Sequence, residues 1–230
     1  MRSWLAACRQ IAHEASLPED RERLGWDPND ERIPPFRYRW EHVKQVVQNG
    51  RWLLTQVEAD EETVLAACWL HDVKKGAEDH AMRGAQFARE FLPHTDFPPG
   101  KIEAVTQAIA VHQGLFRPAD DWRKDSDEPF RPAPPMKPIE AALLWDADKL
   151  SKVGPIALLH YLSYELATLE RRGESTTTEG LHERNRKWLE TMAPRILASF
   201  NTRAAQRRAI QLHGAYETFW MAAEEVLRDT

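Results

Sequence analysis

Residues 61–76 read EETVLAACWLHDVKKG, an apolar helical run that ends in an adjacent histidine and aspartate. Asp60 precedes the run and is a residue type that caps helix N-termini, so we expect a helix from residue 61 to about Lys75. His71 lies on the same helical face as Val64 and Cys68, where an apolar side chain would be expected. Because burying an imidazole or a carboxylate without a partner is costly, this pair predicts further polar groups nearby.

Helical patterns continue on both sides of this run. We predict helices at about 2–15, 38–57, 78–92, 101–113, 139–153, 156–171, 181–199 and 203–228. Residues 16–36 and 114–138 are rich in proline and charge and are predicted to be irregular, the second as a long surface loop. Glycine is scarce at ten of 230 residues and β-branched runs are short, so the sequence predicts an all-α fold.

Composition limits the partners of the chain. The net charge of −5 gives no basic excess that would attract nucleic acid by counterion release. Cys8 and Cys68 are far apart in sequence and are expected to be buried, reduced thiols. Because the N-terminal apolar stretch is too short for a signal peptide and no apolar run has membrane-spanning length, we expect a cytoplasmic protein with no membrane partner.

Other predicted helices also carry polar residues beside apolar faces. His42 stands between Trp40 and Val43, His112 follows an apolar helical face, and Asp146 and Asp148 come directly after AALLW. Converging imidazoles and carboxylates suit a divalent metal that takes nitrogen and oxygen ligands. Each residue has a plainer interpretation, because a single interior histidine can be a hydrogen-bonded core residue and Asp146 can be a helix-surface carboxylate.

The order of these motifs resembles that of the HD-domain metal-dependent phosphohydrolases, in particular the small bacterial HD hydrolases. Residues 38–156 contain, in order, WEHV, LAACWLHDVKKG, DHAMRGAQFAREFL, AIAVHQG and ALLWDADKLSKVG. The resemblance implies an HD-domain helical bundle with additional C-terminal helices. It divides the chain into an N-terminal helix and lead-in (1–36), a catalytic core (37–156) and C-terminal helices that pack on the core (157–230).

The resemblance also implies a ligand set for the metal. It assigns the metal-ligand positions to His42, His71, Asp72 and Asp148. His80 and His112 match positions that bind a second ion in two-metal branches of the superfamily, so one or two ions per site stay open. Alternatively, His80 caps a helix and His112 binds the substrate phosphate. Asp146 is expected to act behind the ligands, and the ion can be Mn, Mg, Co, Ni, Fe or Zn.

The residue type at Lys75 differs between branches of the superfamily. It follows Asp72 by three residues, as does a lysine in the cyclic-dinucleotide phosphodiesterases, whereas the 5′-deoxynucleotidases carry glutamate there. The chain lacks the paired histidines and GYP motif of the former enzymes, so neither activity can be transferred. Lys75 would offer a point charge to a phosphoryl oxygen, or else it is a solvated lysine beside Lys74 at a helix end.

Together these features predict hydrolysis of a phosphomonoester or phosphodiester, with nucleotides among the substrates, by metal-activated water. The residues expected to act in catalysis are Asp72, Lys75, His80 and His112. An alternative is a di-iron oxygenase on the same scaffold, which would bind iron through four histidines and two aspartates and would consume oxygen. A third interpretation is a ligand-binding HD module without catalysis.

The walls of the substrate pocket are expected to come from residues 16–36 and 114–138. Arginines on or beside these segments are candidate phosphate contacts, or else ordinary solvated side chains: Arg37, Arg39, Arg117 and Arg123. Trp40 and Trp122 either border the pocket or belong to the core.

Overall fold

Helices form the regular structure throughout the part of the chain that the structure describes. The computed structural model describes residues 3–123 and 127–228. In chain order the helices are α1 (Trp4–Arg23), α2 (Tyr38–Leu54), α3 (Glu61–Leu70), α4 (His80–Phe91), α5 (Ile102–Ala110), α6 (Ile139–Leu150), α7 (Pro155–Arg172), α8 (Thr178–Thr191), α9 (Ala193–Ala198) and α10 (Arg203–Arg228). Short 3-10 turns at Leu92–His94 and Pro99–Lys101 precede α5, and these described residues form no β-strand. The prediction of an all-α fold is confirmed.

Helix α3 begins as predicted and forms the centre of the molecule. The Asp60 side chain accepts a hydrogen bond of 2.9 Å from the Thr63 N–H, which satisfies a donor that the first turn leaves free. Every residue from Thr63 to Leu70 is buried. Helices α1, α2, α5 and α6 all contact α3, and α4 pairs with α5. The apolar side chains of these helices form one continuous core around the helix that leads to His71.

A close approach between α2 and α3 depends on Gly50. A Cβ atom at Gly50 would lie 2.8 Å from the Cys68 Sγ atom of α3, far inside van der Waals contact. This approach brings α2 near the end of α3. Both cysteines are buried and free, as the sequence predicts, and burial raises the pKa of the Cys8 thiol to about 12.

The C-terminal helices pack against the core at the turn that begins α7. Gly154 has a φ of 90°, which favours glycine, and a Cβ atom there would lie 2.8 Å from the Leu212 Cβ atom of α10. Helices α7, α8 and α10 bury a second apolar cluster formed by Leu158, Tyr216 and Trp220. Helix α7 also contacts α1 and α2.

The prediction that α1 ends near residue 15 is wrong, because the helix continues through Pro18 to Arg23. An interior proline costs about 3 kcal/mol through its missing N–H and its steric clash. Tertiary contacts offset this cost: the buried Asp20 carboxylate accepts a hydrogen bond of 2.6 Å from the Arg39 N–H. Arg21 donates to the Pro28 carbonyl at 2.9 Å and so fixes the segment that follows.

Other predicted helix ends are also wrong, and α2 and α6 each end three residues early, at Leu54 and Leu150. Helix α3 ends at Leu70, and the chain turns over residues 71–76. Helix α5 ends at Ala110, so that His112 lies beyond it. The helix predicted over 181–199 begins earlier, at Thr178, and is divided at Met192, because Pro194 occupies the first turn of a separate helix, α9. No helix among the described residues is both long enough and apolar enough to cross a lipid bilayer.

Two glycines inside helices give a matched test of this packing. Gly50→Ala should lower the free energy of unfolding by about 1–3 kcal/mol, because the added methyl group overpacks the contact with Cys68. Gly214→Ala in α10 should raise it by about 0.5–1 kcal/mol, because nothing lies within 4 Å of its added Cβ and alanine favours the helix. Urea denaturation measures both values. Equal effects of the two substitutions would contradict the close approach at Gly50.

Candidate metal centre

The structure brings His42, His71 and Asp72 together, although α2 and the end of α3 are separated in sequence. The Nε2 atoms of His42 and His71 lie 3.3 Å apart. Each of these Nε2 atoms lies 3.5 Å from Asp72 Oδ2. All three residues are buried, and one potential ligand atom from each lies within 4.8 Å of the other two.

The second carboxylate oxygen of Asp72 faces another pair of imidazoles. Asp72 Oδ1 lies 3.5 Å from His112 Nε2 and 3.8 Å from His80 Nε2. These three residues form a second buried group whose ligand atoms lie within 4.8 Å of one another. Asp72 is therefore shared between two histidine pairs, one at each oxygen.

Hydrogen bonds on the far side of each ring turn the Nε2 atoms inward. His71 Nδ1 donates to the Cys68 carbonyl at 2.8 Å, and His112 Nδ1 donates to the Ile109 carbonyl at 2.6 Å. A carbonyl oxygen only accepts, so in the neutral rings the Nε2 atoms carry lone pairs. The Ser151 hydroxyl donates to the Asp148 carbonyl at 2.6 Å, which leaves Ser151 Oγ to accept from His42 Nδ1 at 3.1 Å.

Asp148 joins the centre from the C-terminal end of α6. Its Oδ1 atom lies 3.3 Å from His42 Nε2. Its Oδ2 atom accepts a hydrogen bond from the neighbouring Lys149, whose buried ammonium also lies 4.4 Å from the centre of the Trp145 ring. Lys149 therefore occupies one carboxylate oxygen and leaves the other facing His42.

Burial and local charge set the protonation states. Burial lowers the pKa of His71 to about 3, and burial together with Lys75 lowers the pKa of His80 to about 4. Burial would raise the pKa of Asp72, but the charge of the Arg39 guanidinium opposes it, and the pKa lies well below its usual value. The Lys149 and Lys152 ammonium groups act in the same way against the burial of Asp148, so its pKa is also well below the usual value. The centre thus presents neutral imidazoles at His71 and His80 and ionised carboxylates at Asp72 and Asp148.

These residues fit a bound divalent metal. Asp72 Oδ1 and His112 Nε2 are buried and have no hydrogen-bond partner among the described residues. When His112 is neutral, its Nδ1 donates to Ile109 and its Nε2 directs a lone pair at Asp72 Oδ1. Facing acceptors in a buried site are costly, and the Lys75 ammonium, 3.3 Å from Asp72 Oδ1, offsets part of that cost. Nitrogen and oxygen ligands of this kind suit a divalent cation, which would remove that cost.

Three further cations, besides Lys149, border the centre. Arg39 Nη1 donates to Asp72 Oδ2 at 2.6 Å. Lys75 Nζ lies 3.3 Å from Asp72 Oδ1 and 3.1 Å from His80 Nε2. Lys152 Nζ lies 3.4 Å from His42 Nδ1 on the opposite side. The interpretation of Lys75 as an ordinary solvated lysine is therefore wrong, since two polar groups of the centre hold it.

Several residues proposed from the sequence lie elsewhere. Asp146 is fully buried and accepts four hydrogen bonds of 2.8–3.0 Å from Asn201 and Thr202, so it fixes the start of α10. Arg117 donates to the carbonyls of Ser199 and Pro134 rather than pointing toward the centre.

The remaining arginines and tryptophans have other roles. Arg37 binds the His13 carbonyl and Ser16 of α1. Trp40 stacks on Trp69 at the edge of the core. Arg123 lies in the 114–138 segment, and its role as a phosphate contact stays a prediction.

Trp122 packs inside the loop rather than beside the centre. It forms an aromatic cluster with Phe116 and Phe130, whose ring centres lie 6.0 and 5.3 Å from its own. Of the two interpretations of Trp40 and Trp122, these contacts favour a role in packing.

A cavity of about 420 Å³, which we call the aromatic cavity, lies beside the centre and was not predicted from the sequence. Its rings are those of Tyr38, His160, Tyr161, Tyr164, Trp188 and Tyr216. Helices α2, α7, α8 and α10 supply these rings, and from the segments 16–36 and 114–138 Leu115 alone is among the described residues that line this cavity. That these two segments form the walls of the substrate pocket stays a prediction. The spacing of His160, Tyr161 and Tyr164 along one helix was the available signal.

Comparison with known proteins identifies the fold. YpgQ from Bacillus subtilis is 14% identical over 96% of this chain and 96% of its own, with a TM-score of 0.60. Its structure in complex with ADP gives 15% identity over 95% and 96% of the two chains and a TM-score of 0.58. A protein from Lactobacillus plantarum is 17% identical over 99% of this chain and 98% of its own, with a TM-score of 0.58.

At identities of 14–17%, the similarity to these solved structures shows that the fold is shared and does not show a shared function. The family comparison adds that residues 39–152 match the HD domain, and this segment contains all six histidine and aspartate residues of the centre. The chain therefore belongs to the HD-domain superfamily, whose members are often hydrolases.

Proposed function

We propose that the chain is a metal-dependent phosphohydrolase that cleaves a phosphomonoester or phosphodiester, with nucleotides as the first substrates to test. One observation carries this proposal: Asp72 directs its two carboxylate oxygens at two separate pairs of buried imidazoles. The crystal structure of YpgQ in complex with ADP supports the choice of nucleotides.

The residues divide into two ligand groups that share Asp72. His42, His71, Asp72 and Asp148 would hold one ion, and His80 and His112 would hold a second ion together with Asp72. A bound divalent ion supplies Lewis acidity toward a phosphoryl oxygen and lowers the pKa of a coordinated water. The two carboxylates, ionised by their surroundings, are ready to bind it.

The other side chains of the centre would bind and orient the phosphoryl group. Lys75 is 32% exposed at its side chain, so its ammonium can reach a ligand while it stays beside Asp72. Arg39 offers planar donors that match phosphate geometry, and it is positioned by its own backbone hydrogen bond to Asp20. Asp72 would orient the attacking water rather than take its proton, since its pKa lies well below the usual value.

The same four histidines and two aspartates also fit a di-iron oxygenase, so metal identity is part of the test. Protein purified anaerobically would then contain iron at both positions and would consume oxygen. A phosphohydrolase releases phosphate or a phosphorylated product without oxygen.

We expect the number of bound metal ions to depend on whether a substituted residue belongs to one ligand group or, like Asp72, to both. His112→Ala should lose one of two bound Mn²⁺ ions, because only one ligand group contains His112, whereas Asp72→Asn should weaken both ions. Calorimetric titration of metal-stripped protein measures this, with the exposed His94→Ala as the control and circular dichroism as the check on folding. Equal metal content in Asp72→Asn and the wild type would exclude the proposed ligand set.

Two adjacent lysines provide a matched test of catalysis. Lys75→Met should lower kcat by roughly 10²–10³-fold, because it removes a cation beside the reacting phosphoryl group. Lys74→Met should leave kcat nearly unchanged, since the Lys74 ammonium packs over the Phe87 ring, 4.9 Å from its centre. The assay is hydrolysis of a nucleotide panel and of generic phosphate esters with manganese, cobalt, nickel or magnesium.

His71→Ala and Asp72→Ala in the same assay test the centre itself. If both variants hydrolyse phosphate esters as fast as the wild type, the proposed function is wrong. Metal binding without turnover on any phosphate ester would instead support a ligand-binding module.

A further inference from the structure

The aromatic cavity shares a wall with the metal centre. Ser151 and Lys152 line the cavity, and each also places a polar atom within 3.4 Å of His42 Nδ1. The Tyr38 ring lies nearly parallel to the His42 imidazole, with an angle of 8° between the two planes. A group bound in the cavity is therefore separated from His42, a proposed metal-binding residue, by a single layer of side chains.

The composition of the cavity is unusual for this chain. The sequence contains four tyrosines, and all four line the cavity: Tyr38, Tyr161, Tyr164 and Tyr216. His160 and Trp188 complete the set of rings, whereas only Leu115 and Ala157 add aliphatic surface. A site for an alkyl or acyl chain would be lined mainly by aliphatic side chains, so this composition favours a flat ring that can stack.

The polar groups of the cavity can recognise the edge of a heteroaromatic ring. Three tyrosines come from α7 and α10, and their hydroxyl groups can donate or accept hydrogen bonds. Burial raises the pKa of Tyr161 to about 12, so its hydroxyl keeps its proton. Burial lowers the pKa of His160 to about 4, so its imidazole is neutral and can act as donor and acceptor. No carboxylate is among the residues that line the cavity, and Lys152 is its cation.

Contacts behind the rings hold the walls in place. The Tyr216 hydroxyl accepts a hydrogen bond of 2.7 Å from the Asn185 amide group of α8. The Arg23 guanidinium stacks on the Tyr38 ring at 3.6 Å from its centre. A site whose rings are already ordered loses less conformational entropy when a ligand binds.

We propose that the aromatic cavity binds the nucleobase of a nucleotide whose phosphate reaches the metal centre, and that Tyr161 and Tyr164 contribute to the selection of this substrate class. The cavity has the volume of a small-molecule site. Because it adjoins the metal centre, a nucleotide could place its base in the cavity and its phosphate at the centre. This inference rests on the proposed phosphohydrolase function. Five of the six rings lie after residue 152, so the C-terminal helices supply a recognition surface that the matched HD segment lacks.

Removal of one ring tests the proposal in a catalytic assay. Tyr161→Leu should raise KM for a hydrolysed nucleotide about tenfold, because a base loses one stacking partner, while kcat changes by less than about twofold. Its kcat/KM for glycerol 2-phosphate, which has no ring, should stay at the wild-type value. Phe219→Leu is the matched control, since this ring is 51% exposed on α10 and does not line the cavity.

A binding assay separates this proposal from the proposed function. Metal-stripped wild type should bind adenosine or guanosine in calorimetry, and Tyr161→Leu should bind the same nucleoside about tenfold more weakly. Nucleoside binding that Tyr161→Leu weakens would support the cavity even if no phosphate ester is hydrolysed. Conversely, hydrolysis with equal kcat/KM for nucleotides and glycerol 2-phosphate would overturn the cavity and leave the phosphohydrolase intact.

A second variant covers the case in which Tyr161→Leu does not fold. Tyr164 is 47% exposed, so Tyr164→Leu should preserve the fold and raise KM for the nucleotide in the same direction. Unchanged KM in that variant would contradict the proposal. Tighter binding of octyl phosphate than of any nucleotide would show that the cavity binds an alkyl chain. That result would also overturn the proposal of a nucleobase site.

Discussion

The structure depends on one electrostatic constraint: four imidazoles and a carboxylate meet in a common buried region. Asp72 lies at the middle of this arrangement, with its two oxygens turned toward different histidine pairs. Without a bound metal ion, bringing these polar groups together costs free energy. The packing of the surrounding helices must offset that cost. The packing of α3 against α1, α2, α5 and α6 provides that support, because the buried run before His71 cannot shift without disturbing the core.

The order of the histidine and aspartate motifs made the centre predictable from the sequence. The adjacent His71 and Asp72 follow an apolar helix, and each further ligand follows or interrupts an apolar face that can be recognised by periodicity. The direction of each ring could not be predicted in this way. It depends on carbonyl oxygens three residues earlier, those of Cys68 and Ile109, and on helices α3 and α5 ending where they do.

Features that depend on contacts between residues distant in sequence could not be predicted. Asp146 follows the same apolar run as Asp148, yet it faces away from the centre and binds Asn201 and Thr202, which lie more than fifty residues later. Helix α1 continues through Pro18 because Asp20 meets Arg39. The aromatic cavity combines a ring from α2 with rings from three C-terminal helices, and no local pattern specifies that arrangement.

The balance of charge around the centre favours an anionic substrate over a neutral one. Arg39 and Lys75 contact Asp72, Lys149 contacts Asp148, and Lys152 reaches His42. These four cations contact residues of the centre, while the Glu19 and Asp20 carboxylates also act on Arg39. Dioxygen is neutral and would gain little from these cations, whereas a phosphate ester carries negative charge on several oxygens and would be stabilised by them. Burial lowers the pKa values of His42 and His80, and the nearby Lys152 and Lys75 add to this effect, since each disfavours a further positive charge on the ring. The side chains that would attract the phosphate therefore also maintain the lone pairs that a metal requires.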